Sequence, residues 1–303
     1  MAVKVLWAPP RNSGKFDKFY LKLKREVETM AHLHHPHIIN MIASKGWDSE
    51  APMIFMGLKD GTVTQLFESD RPPDTTTAYL IIHHVLQALD YLAIKNLVHR
   101  DVKPDNIFFD KMGQRGQFCF VLSDFGLSNN AIQAETPAGS PLFMAPEMLT
   151  SNDQTSKVDV WSLFVTMLWI LDIEGFRNVS TVLSGKGKTV QQFVCEMSQY
   201  PSISGISEMV RDNPVERASA AHMLVKCFDG DGLSTPRRKI KALPTPTQSV
   251  AGQSQVVAAS AAGSQYSMAD QSQRQPGYSE KMDWLPSVAA AVQPERANFT
   301  DKC

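Results

Sequence analysis

The run His99-Arg100-Asp101-Val102-Lys103-Pro104-Asp105-Asn106 gathers an imidazole, a guanidinium, a carboxylate, an ammonium and a carboxamide into one short polar segment. A carboxylate placed like Asp101 can accept a proton and orient the group that loses it. Lys103 adds a positive charge two residues on, and Asn106 adds an amide oxygen. Downstream, Ser123-Asp124-Phe125-Gly126 sets a second carboxylate at the end of an apolar run, Phe118–Leu122. Asn106 and Asp124 are oxygen donors of the kind a hard divalent cation takes. A third motif follows, Gly139-Ser140-Pro141-Leu142-Phe143-Met144-Ala145-Pro146-Glu147.

These groups need elements to hold them. Phe16, Phe19, Leu23, Val27, Met30 and Leu33 recur at helical spacing and predict a helix over Phe16–His35. Glu26 falls on its apolar face, while Lys24, Arg25 and Glu28 point elsewhere. A carboxylate there is costly without a cation beside it. Ile81, Val85, Leu89 and Leu92 predict a second helix over Thr75–Asn96. Ala2–Leu6 and Met53–Met56 read as short buried strands. Val158–Leu171 is apolar all round, the mark of a fully buried helix. Its longest apolar run, Val160–Leu171, falls short of the ~20 residues a membrane span needs. Strands early and helices late predict an α+β chain with a small β-rich lobe and a larger helical lobe.

Composition narrows the function classes. The 303 residues are 43% hydrophobic and 20% charged, enough apolar content for a sizeable core. Thirty basic residues against 31 acidic ones give a net charge of −1, with no general drive toward nucleic acid or an acidic membrane. Cys119, Cys195, Cys227 and Cys303 stand far apart, which argues against zinc ribbons and disulfide scaffolds. The start of the chain lacks the apolar core of a signal peptide. A reducing location, cytoplasmic and/or nuclear, is expected. From 229 to 303 the chain turns rich in Ser, Gln, Ala and Pro without apolar periodicity, which predicts a disordered tail. Within it, Asp283–Ala290 is a candidate turn of helix for an unknown partner.

The order His-Arg-Asp, Asp-Phe-Gly, Ala-Pro-Glu resembles the signature set of the eukaryotic protein kinase catalytic domain, over about residues 4–228. The resemblance implies a two-lobed kinase-like domain over 1–228, with a small lobe over about 1–58 and a large lobe over about 59–228. It implies transfer of the ATP γ-phosphate to protein Ser or Thr, with Mg²⁺ as the cation and a protein substrate as the partner. Lys103 and the Gly-Ser-Pro before Ala-Pro-Glu favour Ser/Thr over Tyr. In that reading Asp101 accepts the hydroxyl proton, Lys103 neutralises the moving phosphate, and Asn106 and Asp124 hold Mg²⁺. Lys4 holds the α- and β-phosphates and supplies the cation that Glu26 lacks. Ala2 touches adenine, Phe55 is the gatekeeper, and Met56 and Leu58 offer backbone hydrogen bonds. Asp159 braces the catalytic loop and Arg217 pairs with Glu147. Thr136 is expected to carry a regulatory phosphate received by Arg100, and Ser140 to bond Asp101.

Other features take plainer readings. The family places His-Pro after the first helix, so His32, His34, His35 and His37 are not read as a metal site. Gly185–Thr189 ends like a phosphate loop without its first glycine and reads as a solvated loop. Arg237, Arg238, Lys239 and Lys241 form a basic patch at the start of the tail, open to a localisation or docking role. The family's Gly-rich loop precedes the strand lysine, and here Met1 stands just before it. The small lobe therefore reads as truncated, with weak ATP binding expected. A pseudokinase or scaffold module is the alternative reading. Phe164 stands where the family usually has glycine.

Overall fold

The structure is a computed structural model. It describes residues 1–9, 12, 14–47, 49–69, 74–113, 117–125, 140–150, 154–178 and 188–244. The small lobe is an antiparallel sheet of β1 (Ala2–Val5), β2 (Met41–Lys45) and β3 (Met53–Met56), in the order β1-β3-β2. Helix α1 (Phe16–Ala31) lies on its inner face, where Leu23 and Val27 pack on Ile54. The helix ends four residues earlier than its periodicity predicted. Pro36 follows closely, and Leu33 buries itself from the turn beyond the helix.

The large lobe begins with β4 (Gly61–Thr62) and α2 (Val63–Phe67), where Thr62 and Gln65 form a reciprocal cap. Helix α3 (Thr75–Ile94) is capped by Asp74, whose carboxylate accepts from the Thr77 amide. By length and composition α3 could cross a bilayer, but 67% of its apolar window is buried inside the fold. It packs against β6 (Gln117–Leu122), which pairs with β5 (Ile107–Met112) in a second sheet, β4-β5-β6. Helices α4 (Pro146–Thr150), α5 (Lys157–Leu171), α6 (Val190–Met197) and α7 (Ala220–Phe228) complete the lobe. Helix α5 is the central rod expected from its all-round apolar sequence, with Trp161 and Phe164 fully buried. The Phe164 ring fills core volume that a glycine would leave empty, so this departure from the family pattern is part of the packing. The two-lobed α+β architecture is the one the motif order implied.

The lobes are stitched by backbone. Ile38 bridges Leu122 in parallel, Ile39 N donates to Leu122 O at 2.9 Å, and Leu122 N donates to His37 O at 2.9 Å. Movement of the small lobe is thereby tied to the strand that ends at Asp124.

The described chain runs on past residue 228, into the stretch expected to be a disordered tail. Residues 229–244 lie along the large lobe, and Leu233 and Leu243 pack on its core. Ser234 and Thr235 bond the buried carboxylate of Asp90 on α3. Composition hides this strap, because its anchoring is polar and its apolar residues are few. Asp283–Ala290 lies outside the described residues.

Candidate functional site

The site is built on the open end of the β5–β6 hairpin. Asn106 immediately precedes β5 and Ser123 immediately follows β6, and Ser123 N donates to Asn106 O at 2.9 Å. That single bond brings the Asp101–Asn106 loop beside Asp124. A 3₁₀ turn at Pro104–Asn106 tightens the loop, with proline at its first position, where a missing N–H costs nothing.

Below the loop sits Asp159, from the first turn of α5. It accepts His99 N at 2.8 Å and Arg100 N at 2.7 Å. These bonds hold Arg100 at φ +72°, a left-handed conformation that a side chain adopts only at a cost. Asp124 has the same strain, at φ +66°. Burial pushes the Asp159 carboxyl up to about 6, against the pull of the two amides. His99 Nε2 lies 2.9 Å from Ser123 O, and Asp101 N donates to His99 Nδ1 at 3.3 Å. A neutral ring with the proton on Nε2 satisfies both. Burial lowers its pKa to about 4, so it stays neutral.

Asp101 is the hub. Its Oδ2 accepts Lys103 Nζ at 2.7 Å and Asn106 Nδ2 at 2.8 Å, while Oδ1 accepts Ser140 N at 3.2 Å. A carboxylate has about four lone-pair sites, so one on Oδ1 stays available to a hydroxyl proton. Lys103 Nζ also donates to Ser140 Oγ at 2.9 Å. Ser140 was expected to bond Asp101, and it does so through its amide; its hydroxyl serves Lys103. Asn106 Nδ2 donates further to Asp101 O at 2.8 Å. With its nitrogen so used, the group Asn106 has for a cation is Oδ1.

Across the cleft, Lys4 Nζ donates to Asp124 Oδ1 at 2.7 Å and lies 3.9 Å from Glu26 Oε1. The expected Lys4–Glu26 pair is present, but as the looser of two contacts. Asp124, two residues beyond the end of β6, is the nearer carboxylate. Asn106 and Asp124 suit Mg²⁺ as a donor set: both offer oxygen, and phosphate and water commonly fill the rest of that ion's shell. Among the described residues no group of three or more His, Cys, Asp or Glu could hold a metal by itself.

The register of the small sheet corrects one expectation. Lys4 pairs with Ile54 and Ala2 with Met56, so these four residues share the inner face. Phe55 pairs with Val3 on the outer face and lies under Lys45 Nζ at 5.9 Å. Met56, which packs on the core cluster of α1, is therefore on the inner face, and Phe55, expected there as the gatekeeper, is not. A one-residue slip turns every side chain to the other face, and spacing from the next polar turn could not resolve it. Leu58 follows β3 with its side chain 66% exposed.

The expected pairing of Arg217 and Glu147 is found, in a bidentate form. Arg217 Nη1 and Nη2 donate to the two Glu147 oxygens at 2.6 and 2.9 Å, and the guanidinium lies over the Trp161 ring. Arg217 is fully buried. Glu147→Ala would strand that charge, a loss of roughly 3–5 kcal/mol. The expected fall in melting temperature is on the order of 10 °C by calorimetry; a change of a degree or two would contradict this pairing's structural role. Thr136 and most of the Gly185–Thr189 loop lie outside the described residues. Sequence reasoning missed the Asp90 clamp and the histidine stack behind α3. A buried Asp in an apolar helix stripe was the available signal for the first.

The comparisons agree with this geometry. About half the chain, 154 residues, is 31% identical to serine/threonine-protein kinase 36 of Pongo abelii, covering 11% of that protein. Aurora/IPL1-related protein kinase 2 of Caenorhabditis elegans is 31% identical over 169 residues, 54% of this chain and 52% of the relative. Serine/threonine-protein kinase shk1/pak1 of Schizosaccharomyces pombe is 31% identical over 49% of this chain and 22% of its own length. The chain thus spans about half or less of these relatives. A family model described as the protein kinase domain matches residues 1–229. With that match across three quarters of its length, the chain belongs to the protein kinase domain family.

Proposed function

We propose that the chain transfers the γ-phosphate of ATP to Ser and Thr hydroxyls of protein substrates. The observation that carries this reading is the Asp101 carboxylate, held by Lys103, Asn106 and Ser140, with a lone pair of Oδ1 left over. Asp101 takes the position of the group that orients the attacking hydroxyl and accepts its proton. Lys103, already within reach of Asp101 and Ser140, sits where negative charge on the transferred group would gather. Asn106 Oδ1 and the Asp124 carboxylate would hold Mg²⁺, which when bound supplies charge neutralisation between phosphate oxygens. Lys4 would leave Asp124 for the α- and β-phosphates, with Glu26 steadying its ammonium. Ala2 and Met56, facing one another across the sheet, line the place for adenine. The register shift moves the expected backbone contacts one residue on from Met56, into Gly57–Lys59 around Leu58.

Two measurements test the reading. Mg-ATP should stabilise the chain in a thermal-shift titration, by ~2.7 kcal/mol at a hundred times Kd. Asp124→Asn should abolish the Mg²⁺-dependent part. Incubation with γ-labelled ATP and dephosphorylated casein should then yield phosphoserine or phosphothreonine on acid hydrolysis. Phosphotyrosine alone would overturn the Ser/Thr assignment, and neither shift nor transfer would overturn the enzyme.

A further inference from the structure

Asp90 lies in the middle of α3 and is 1% exposed, an uncommon setting for a carboxylate. Three of its hydrogen bonds come from two consecutive residues of the strap. Ser234 N and Thr235 N both donate to Oδ2 at 2.8 Å, and Thr235 Oγ1 donates to Oδ1 at 2.6 Å. Weaker ties flank this clamp. His222 Nε2 lies 2.6 Å from Lys241 O, Arg211 Nη1 donates to Pro244 O at 3.1 Å, and His83 Nε2 lies 3.6 Å from Asp231 Oδ2. The strap is therefore pinned at its centre by three bonds, one of which requires the hydroxyl proton of Thr235.

The residues that follow have the chemistry of a recognition motif. Pro236 adopts φ −56° and ψ 130°, the extended polyproline conformation, and is exposed. Arg237, Arg238 and Lys239 come next, all exposed. Of these Arg237 is engaged by Asp229, through its carbonyl and carboxylate. A proline and a run of cations thus stand exposed beside a half-buried threonine whose hydroxyl oxygen is turned toward Asp90.

We propose that Thr235 is a phosphorylation site for a proline-directed kinase that also reads the basic residues, and that its modification releases the 229–244 strap from α3. In the transfer, Thr235 Oγ1 forms a bond to the γ-phosphorus of ATP. The bridging bond to the β-phosphate breaks, ADP leaves, and the hydroxyl proton passes to the modifying kinase's base. The product cannot donate to Asp90. It sets a charge of about −1.5 to −2 against a buried carboxylate, where like charges repel with little screening. The two amides lose their acceptor as the strap lifts, and Asp90 becomes hydrated. Attachment of Leu233 and Leu243 alone does not hold a segment so poor in apolar contacts.

The test uses the full chain with Mg-ATP and a cyclin-dependent-class kinase as the probe. Mass spectrometry should place phosphate on Thr235, and Thr235→Val should remove that label. Hydrogen–deuterium exchange across 229–244 should then quicken at least tenfold in the modified chain. Asp90→Asn replaces one accepting oxygen by an NH₂, so its strap should exchange faster even before modification, and phosphorylation should add little further. An unlabelled Thr235 overturns the proposal. So does a labelled chain whose strap keeps its protection, with the phosphate drawn to Arg237 or Arg238 instead.

Discussion

Asp101→Asn should lower phosphoryl transfer by at least ~10³-fold while leaving the fold in place. The reason lies in the three donors that converge on this carboxylate. Asparagine keeps the size and can keep one oxygen facing Lys103 or Ser140 N. Its new NH₂ has no lone pair to take up a proton and faces donors on one side, so the affinity for a hydroxyl proton is gone. One hydrogen bond of a hydrogen-bonded cluster is lost, about 1 kcal/mol, a small part of a domain's stability. Steady-state kinetics with γ-labelled ATP should therefore show a fall in kcat with little change in KM for ATP, since the Lys4 and Asp124 side of the cleft is untouched. Full activity in Asp101→Asn would remove the assignment of Asp101. A collapse of the melting temperature would instead reassign it to a structural role.

The large lobe and the catalytic loop were legible in the sequence because their residue types are dictated by chemistry at fixed short spacing. Asp101, Lys103 and Asn106 come from one loop, and β6 ends where Asp124 must stand, so local order sets the geometry. Asp159 and Arg217 were legible by the same route, each within a short motif. What stayed hidden depends on contacts between distant segments. Whether Met56 or Phe55 faces inward is decided by pairing with Ala2 and Val3, across half the small lobe. That Lys4 prefers Asp124 to Glu26 depends on where β6 ends relative to β1. The 229–244 strap looked featureless because one buried aspartate, far upstream on α3, supplies its acceptor.

The histidines show the same limit, and they carry the second large effect. His35 and His37 join His83 and His84, two residues of α3, in a group of packed rings. His37 and His84 stack with centroids 3.9 Å apart, and His83 lies flat on Phe228 at 4.2 Å. His37 Nδ1 is 2.9 Å from Phe120 O, while Phe120 N donates to His84 Nδ1 at 3.2 Å, so two rings grip one residue of β6. His37 N likewise donates to His35 Nδ1 at 3.1 Å. At His35, His84 and His99 the nitrogen that would gain a proton already accepts a backbone amide. Protonation therefore breaks a bond in addition to placing charge in the core.

This chain should accordingly lose stability steeply on mild acidification. Burial lowers His35, His37 and His99 to about 4, and it lowers His83 and His84 as well. With folded pKa values below the unfolded value of about 6.5, the unfolded chain binds more protons as pH falls. The stability is complete above pH 6.5 and drains away between there and pH 4. A fully buried ring such as His99 then costs about 3 kcal/mol. Asp159 works in the opposite sense. Its carboxyl, raised to about 6, takes up a proton in the folded state first and returns a similar amount over the same range. Several histidines outweigh one carboxylate, so the net effect of acidification over this range is destabilising. Urea midpoints measured from pH 7.5 down to 5.0 should fall continuously. His99 should titrate only as the chain unfolds when its ring protons are followed by NMR. A midpoint that stays flat from pH 7.5 to 5.0 would mean that these rings are hydrated in solution, and that the stack behind α3 does not lock the lobes together.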